Sequence, residues 1–262
     1  MRWTAVSRVY ASAMSREMLN DKTWSSPQMK QAFPRQKATM TYGGVAVKTG
    51  IFLLIIGVLA TIGWQNSDTF TGRGSGLIYL LGFFVLIGLT IAAVNNPKLA
   101  VAAGLLYAIL NGLWIGAISR YYDEVSDGIV GLALVGTLAI TLGMLVLYST
   151  RVFRVTARGA QIISAMVMAV ALMYFLGFLL SLFGIQLDFL YGSSPVAIGV
   201  GLLILGVAAS TLLVDFGYIE SGVKNGVPKS AEWYAALGVV SSIVWIYLEV
   251  LRLLARLNRA SN

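Results

Sequence analysis

Two acidic residues near the C-terminus lie in apolar surroundings, where charges are costly. Asp215 stands close to the end of the apolar run that includes TLLVDFG, and Glu249 lies inside WIYLEVLRLL. A charged side chain costs a few kcal/mol or more inside a bilayer, so an acid that persists there indicates a functional site by default. Because the two acids occupy consecutive apolar segments, they are candidates for one joint site.

Each acid also has a purely structural interpretation. Asp215 can be a helix-end carboxylate that headgroup water solvates. Glu249 can form an ion pair with Arg252, which follows it by one helical turn and would neutralise it inside a helix bundle. Glu220 and Glu232 are interpreted as loop or helix-start carboxylates, and Glu232 is well placed at a helix N-terminus.

Three further polar or small positions lie inside apolar runs. Lys48 follows the start of the first run by about one turn, and snorkelling of its amine to the nearby surface is the favoured interpretation. Asn111, in YAILNGLWIGAIS, is either a packing residue that bonds a neighbouring helix or a polar residue of a pore. Gly112 and Gly116 form a G-x-x-x-G face, which predicts close approach of another helix.

The composition indicates that these residues belong to a membrane protein. The chain is 58% hydrophobic and only 11% charged, whereas about a quarter of the residues of a soluble domain are charged. Seven apolar runs approach or exceed the roughly 18–20 residues that span a bilayer. They predict one all-α, polytopic domain with spans near 43–64, 76–94, 99–119, 129–149, 160–184, 195–218 and 233–255.

Several classes of chemistry are excluded by what the chain lacks. It has no cysteine and no histidine, which removes disulfides, thiolate chemistry, Cys/His zinc sites, histidine-ligated haem and triads with a histidine base. It also has no paired-aspartate diphosphate motif and no nucleophile elbow. We therefore expect no enzyme, no catalytic residue and no cofactor. The net charge of +8 is interpreted as a topology signal and not as a nucleic-acid patch.

Charge also predicts the domain organisation and the orientation. Residues 1–42 form a basic N-terminal arm, 43–257 the transmembrane domain and 258–262 a short basic tail. The arm and the connections predicted on its side carry most of the bases, so the N-terminus is expected in the cytoplasm. Seven crossings would place Arg256 and Arg259 outside, so the last segment either spans, with these arginines snorkelling, or re-enters and returns.

Four stretches carry a resemblance to a known family: 40–50, 107–119, 212–233 and 245–254. The chain resembles the Bax inhibitor-1 family, also called the transmembrane Bax inhibitor motif family, and especially its bacterial Bax inhibitor-1/YccA-like branch. The resemblance implies a seven-helix bundle whose last helix is central and wrapped by the other six. It further implies a calcium-permeable, pH-sensitive leak in a bacterial inner membrane, gated by an acidic pair at positions that match Asp215 and Glu249.

The chain departs from the family pattern in three ways. The second acid is Glu249, where much of the family has aspartate, and an insertion, GVPKSAEW, lengthens the spacing to Asp215. The arginine that some relatives carry in the second helix has no counterpart in 76–94. Lys48 and Arg252 are therefore the candidate counter-ions of the pair.

The chemistry of such a pair suits a pH-sensitive gate. Two carboxylates about 4 Å apart repel by roughly 4 kcal/mol at an effective dielectric near 20, so they share a proton and titrate as a unit. The shared proton would tie the two helices together, and its loss would let them separate or coordinate a hard cation. Ca²⁺ accepts carboxylate oxygens in loose geometry, so Asp215 and Glu249 are also candidate calcium ligands.

A second function remains open at this point. The basic arm, and the YccA-like branch of the resemblance, suit a non-conducting membrane interaction protein that modulates a membrane protease or a stress response. For this second function the expected partners are membrane lipid and another membrane protein. For the leak they are membrane lipid and calcium ions.

Overall fold

The computed structural model describes residues 38–68, 99–152 and 155–261, together with positions 82, 85, 86, 88 and 89. Its described residues are helical apart from turns, connections and an isolated antiparallel bridge between Thr39 and Pro228. The all-α prediction is confirmed. In chain order the helices are α1 Tyr42–Gln65, α2 Ala100–Val125, α3 Ile129–Ser149, α4 Ala157–Leu182, α5 Asp188–Tyr191, α6 Pro195–Lys224 and α7 Ala231–Ser261.

Within the described ranges, six helices are long and apolar enough to cross a membrane. They are α1 to α4, α6 and α7, and they confirm a polytopic integral membrane protein. The predicted bounds of α3 agree with the structure, whereas α2, α6 and α7 continue beyond their apolar runs into polar sequence. The predicted span at 76–94 lies outside the described residues except for positions 82, 85, 86, 88 and 89, which are helical. The short α5 was not predicted.

The outer surface of the helices is apolar, as lipid contact requires. Along α3 and α4 many large apolar side chains are exposed, and a soluble protein would bury faces of this kind. In an 18-residue stretch, 56% of α7 and 50% of α2 are buried, against 6% of α4. The central position of the last helix stays a prediction. The exposed residues of α3 include Leu132, Leu134, Val135, Leu138 and Leu142.

The chain forms two compact units. The first combines Met1–Tyr121 with Asp215–Ser241, and in it α1 packs closely on α2. A Cβ atom added at Gly112 would lie 2.6 Å from the Cβ of Leu59, and one added at Gly116 would strike the carbonyl of Ala60. The predicted G-x-x-x-G packing face is therefore confirmed, because only glycine permits this backbone approach.

The second unit combines Tyr122–Val214 with Ser242–Asn262. In it the C-terminal half of α7 packs against α3, where a Cβ added at Gly136 would lie 3.1 Å from Val250 Cγ1. The hydroxyls of Thr211 on α6 and Ser242 on α7 lie 2.9 Å apart and form a hydrogen bond. Polar contacts of this kind hold helices together where lipid offers no hydrophobic drive.

The last apolar segment is a single helix, α7, of 31 residues, about 46 Å long at 1.5 Å per residue, which is long enough to span a bilayer. Its backbone does not turn back within these residues, and a spanning path stays a prediction. The snorkelling interpretation of Arg256 is wrong, because this residue is only 5% exposed.

Arg256 is buried because backbone carbonyls replace water around its guanidinium. It donates to the carbonyl of Ala197 at 2.7 Å and to that of Leu190, while Asn258 donates to Ser126. These acceptors lie in or beside the connections that precede α3 and α6, which the Lys/Arg pattern assigns to the outer side. The end of α7 therefore meets the connections that a spanning helix should reach.

Candidate functional site

The second unit contains a buried carboxylate in the middle of the last helix. Glu249 is 2% exposed and accepts hydrogen bonds from three side chains. The hydroxyl of Tyr174 lies 3.1 and 3.0 Å from its two carboxylate oxygens. Trp245 Nε1 donates to Oε1 at 3.0 Å, and Arg252 donates to the same oxygen at 2.8 Å. The acid keeps a full set of donors although it lies in an apolar segment.

Helix geometry explains how the sequence builds most of this cluster. Trp245 precedes Glu249 by four residues and Arg252 follows it by three, so all three side chains lie on one face of α7. The ion pair between Glu249 and Arg252, one of the two interpretations of this acid, is present in the structure. A buried pair of this kind is costly to break, because removal of one partner leaves an uncompensated charge.

Tyr174 contributes to the cluster in two ways. Its hydroxyl donates to Glu249, and its ring lies under the guanidinium of Arg252, 4.8 Å from the ring centroid. Tyr174 is on α4, so the contact joins α4 to α7 within the second unit. The Arg252 side chain is 34% exposed, so the ion pair reaches from the buried carboxylate to the surface of the unit.

The partner proposed for Glu249 lies in the first unit. Asp215 is a half-buried residue of α6, and its Oδ1 atom faces α7 at Gly238, where an added Cβ would lie 3.1 Å away. Glu249 belongs to the second unit. The pairing of Asp215 with Glu249 therefore stays a prediction.

Lys48 and Asn111 have partners that the sequence did not indicate. Lys48 forms an ion pair with Glu232 and is only 13% exposed, so its ammonium is held inside the first unit and does not snorkel outward. Asn111 donates to the carbonyl of Tyr107 on its own helix at 3.2 Å. That bond serves α2 itself, so the roles of Asn111 in packing and in a pore both stay predictions.

The sequence interpretation missed three side chains that build or flank the buried polar clusters. Trp245 was detectable, because its spacing places it on the face of Glu249. Tyr174 carries a polar hydroxyl in the largely apolar run 160–184, and buried tyrosine hydroxyls usually find a partner. Glu232 was interpreted as a helix-start carboxylate and is the second residue of α7, but only the fold shows that it is fully buried.

The described residues contain no group of three or more His, Cys, Asp or Glu side chains that could hold a metal. Around Glu249 the neighbours are donors, namely Tyr174, Trp245 and Arg252. A calcium ion needs oxygen ligands, so in this arrangement it would have to displace Arg252 before it reached the carboxylate.

Comparisons with known proteins bear on the identity of the fold. A family model described as Bax inhibitor 1 like matches residues 15–259, which is nearly the whole chain. The searches of curated proteins and of solved structures found no significant match. Since the matched region includes α1 to α7 almost to their ends, the chain belongs to the Bax inhibitor 1 like family.

Proposed function

We propose that this membrane protein is a pH-sensitive leak for calcium or a similar cation, with Asp215 and Glu249 as the acids that gate it. The observation that carries the proposal is the buried, charged cluster around Glu249 in a helix long and apolar enough to span a membrane. Packing alone does not require a buried charge at this position, because an apolar residue would fill it at lower cost.

In the proposed mechanism Arg252 competes with the conducted cation. While Arg252 is paired with Glu249, the carboxylate is neutralised and cannot attract an ion. A divalent cation that replaces the guanidinium would exchange one positive partner for another, so the exchange does not strand a bare carboxylate. The Arg252 side chain is 34% exposed, so its guanidinium can move from Glu249 toward the surface of the unit.

The pH dependence arises from protonation of the acids. A proton on Glu249 would remove the attraction for both Arg252 and a cation, and a proton shared with Asp215 would tie α6 to α7. Acid conditions therefore close the leak, and loss of the proton opens it. The chain has no histidine, so perturbed carboxylates or lysines are the side chains left to sense pH near neutrality.

The orientation and location follow from the charge distribution. An excess of lysine and arginine on the arm and its side of the membrane favours a cytoplasmic N-terminus. The resemblance to the bacterial branch favours a bacterial inner membrane. Lipid and calcium ions are then the partners, and calcium is the transported species and not a bound cofactor.

The test is calcium flux into liposomes that contain the purified protein, measured from about pH 5 to 8. Wild-type flux should fall as the pH falls. Asp215→Asn and Glu249→Gln should each flatten this dependence, because an amide cannot take up the proton. Arg252→Gln should raise flux at neutral pH, because the competing guanidinium is absent.

Glu220→Gln is the matched control, since Glu220 is a carboxylate that pairs with Lys224 at the end of α6. It should leave the pH dependence as in the wild type. Flux with unchanged pH dependence in both acid variants would remove the gating role. Absence of flux in every form, including Arg252→Gln, would instead favour a non-conducting interaction protein.

A further inference from the structure

A second buried acid lies at the opposite end of the last helix from Arg256. Glu232 is the second residue of α7 and is 0% exposed. Its Oε1 atom accepts hydrogen bonds from the backbone N–H of Thr41 at 2.9 Å and from the Thr41 hydroxyl at 3.1 Å. Its Oε2 atom pairs with the ammonium of Lys48. All of these residues belong to the first unit.

The ammonium of Lys48 is enclosed on a second side by an aromatic ring. It lies 5.3 Å from the ring centroid of Trp233, the residue that follows Glu232. Trp233 in turn packs edge-on against Phe52 of α1, with centroids 5.5 Å apart. A carboxylate and an aromatic face thus replace water around this cation, and the charge of Glu232 is neutralised where it is buried.

Thr41 links this ion pair to the start of α1. Its side-chain oxygen is the N-cap of α1 and accepts from the N–H of Gly44 at 2.9 Å, while the same hydroxyl donates to Glu232. The carboxylate lies directly against Gly44, where an added Cβ would strike it. The first turn of α1 is therefore shaped around an acid that α7 supplies.

The backbone adds a third connection. The N–H of Met40 donates to the carbonyl of Val227 at 2.7 Å, and the N–H of Lys229 donates to the carbonyl of Ala38 at 3.1 Å. These bonds flank the bridge between Thr39 and Pro228. The residues before α1 are thereby paired with the connection between α6 and α7.

We propose that Thr41, Lys48 and Glu232, here named the α1–α7 clasp, are a control point that holds the start of α7 and must open when the protein conducts. This inference rests on the proposed leak, because Glu249 lies on the same unbroken helix and a shift of α7 moves both ends of it. Apolar contacts can slide, but these directional polar contacts are either made or broken. The clasp thus gives α7 a defined resting position.

The clasp also brings the basic arm to the gating helix. Residues 38–41 are the point at which the arm joins α1, and they are paired with the connection that leads into α7.

A disulfide across the bridge tests the proposal without disturbing the charges. Thr39 and Pro228 form a bridge pair without direct hydrogen bonds between the two residues. In antiparallel geometry the Cα atoms of such a pair are about 4.5 Å apart. This distance lies within the roughly 4.4–6.8 Å that a disulfide spans. The chain has no native cysteine, so Thr39→Cys/Pro228→Cys gives a single defined crosslink. Calcium flux into liposomes should fall about tenfold on oxidation and return on reduction.

Each single-cysteine variant is the control and should respond to neither treatment. Equal flux in the oxidised and reduced double variant would overturn the clasp. A wild-type protein that conducts no calcium would overturn the proposed leak instead. In that case hydrogen exchange at residues 232–236 decides whether the clasp holds α7. If the clasp holds the helix, Glu232→Gln should speed exchange at these residues; unchanged exchange would overturn the clasp.

Charge removal provides the opposite perturbation. Lys48→Met and Glu232→Gln should each raise calcium flux about tenfold, which corresponds to about 1.4 kcal/mol of lost bias toward the resting position. Lys224→Met is the matched control, because it removes the exposed Glu220–Lys224 pair by the same substitution. A rise of the same size in Lys224→Met, or no rise in either clasp variant, would contradict the proposal.

Discussion

At the scale of single residues, each buried acid of α7 is stabilised by donors from another helix. Glu249 accepts from Tyr174 of α4, and Glu232 accepts from Thr41 and Lys48 at α1. A carboxylate in a low-dielectric interior is tolerated only when such donors replace its water. The two acids therefore act as fixed points of the last helix, each within its own unit.

The hydroxyl of Tyr174 is predicted to stabilise the Glu249 cluster. Tyr174→Phe removes the donor that contacts both carboxylate oxygens and keeps the ring on which Arg252 stacks. A hydrogen bond to a charged group in such surroundings is worth about 1–2 kcal/mol. The free energy of unfolding, measured in mixed detergent micelles, should fall by about that amount.

Tyr42→Phe is the control for this substitution, because the side chain of Tyr42 is 54% exposed at the start of α1. It should leave the free energy of unfolding nearly unchanged. Equal effects of Tyr174→Phe and Tyr42→Phe would contradict a stabilising role for the Tyr174 hydroxyl.

At the scale of elements, packing of α1 on α2 depends on glycines that allow the backbones to touch. Gly63 of α1 lies against the carbonyl of Leu113, and Gly116 of α2 lies against that of Ala60. Gly104 lies against the ring of Phe52, which also packs against Trp233. The position of α1 beside α2, and with it the position of Lys48, therefore depends on the absence of Cβ atoms along this face.

Gly116→Ala is predicted to be destabilising. The added methyl group would strike the backbone of Ala60, which cannot give way as a flexible side chain can. Overpacking of this kind costs typically about 1–3 kcal/mol, and the free energy of unfolding should fall by that amount. Gly57→Ala is the matched control, since Gly57 has no atom within 4 Å of an added Cβ, and it should be neutral or slightly stabilising.

At the scale of the whole molecule, the charges predict which ends of the helices face the cytoplasm. The connection between α6 and α7 lies on the predicted inner side, and the connection between α2 and α3 lies on the predicted outer side. Since α7 is one unbroken helix, its C-terminal end should lie on the outer side as well.

The absence of native cysteine makes this orientation directly measurable with an impermeant maleimide on intact cells. Asp127→Cys and Ser261→Cys, both at exposed positions, should react from outside. Ser230→Cys, at an exposed position before α7, should react only after permeabilisation. The reverse labelling pattern would show that the N-terminus is outside, and labelling of Ser261→Cys only after permeabilisation would contradict a spanning α7.

Much of the architecture could be predicted from sequence because it depends on local hydrophobic pattern. Apolar runs long enough to span a bilayer predicted the six long helices that the structure describes, and α3 was predicted to the residue. Helix ends were less predictable, since α6 and α7 continue into sequence that contains Glu220, Lys224 and Arg259. Hydrogen bonding along the backbone continues there although the apolar character has ended.

The partners of the buried charges were likewise predictable only where the two residues are close in sequence. Sequence alone determined that Glu249 and Arg252 share a helix face and that Gly112 and Gly116 form a packing surface, because both relations are fixed by helix spacing. Only the tertiary structure decided that Tyr174, 75 residues away, binds Glu249, and that Lys48, 184 residues away, pairs with Glu232. Contacts so distant in sequence depend on which helices pack together, and no local periodicity specifies that choice.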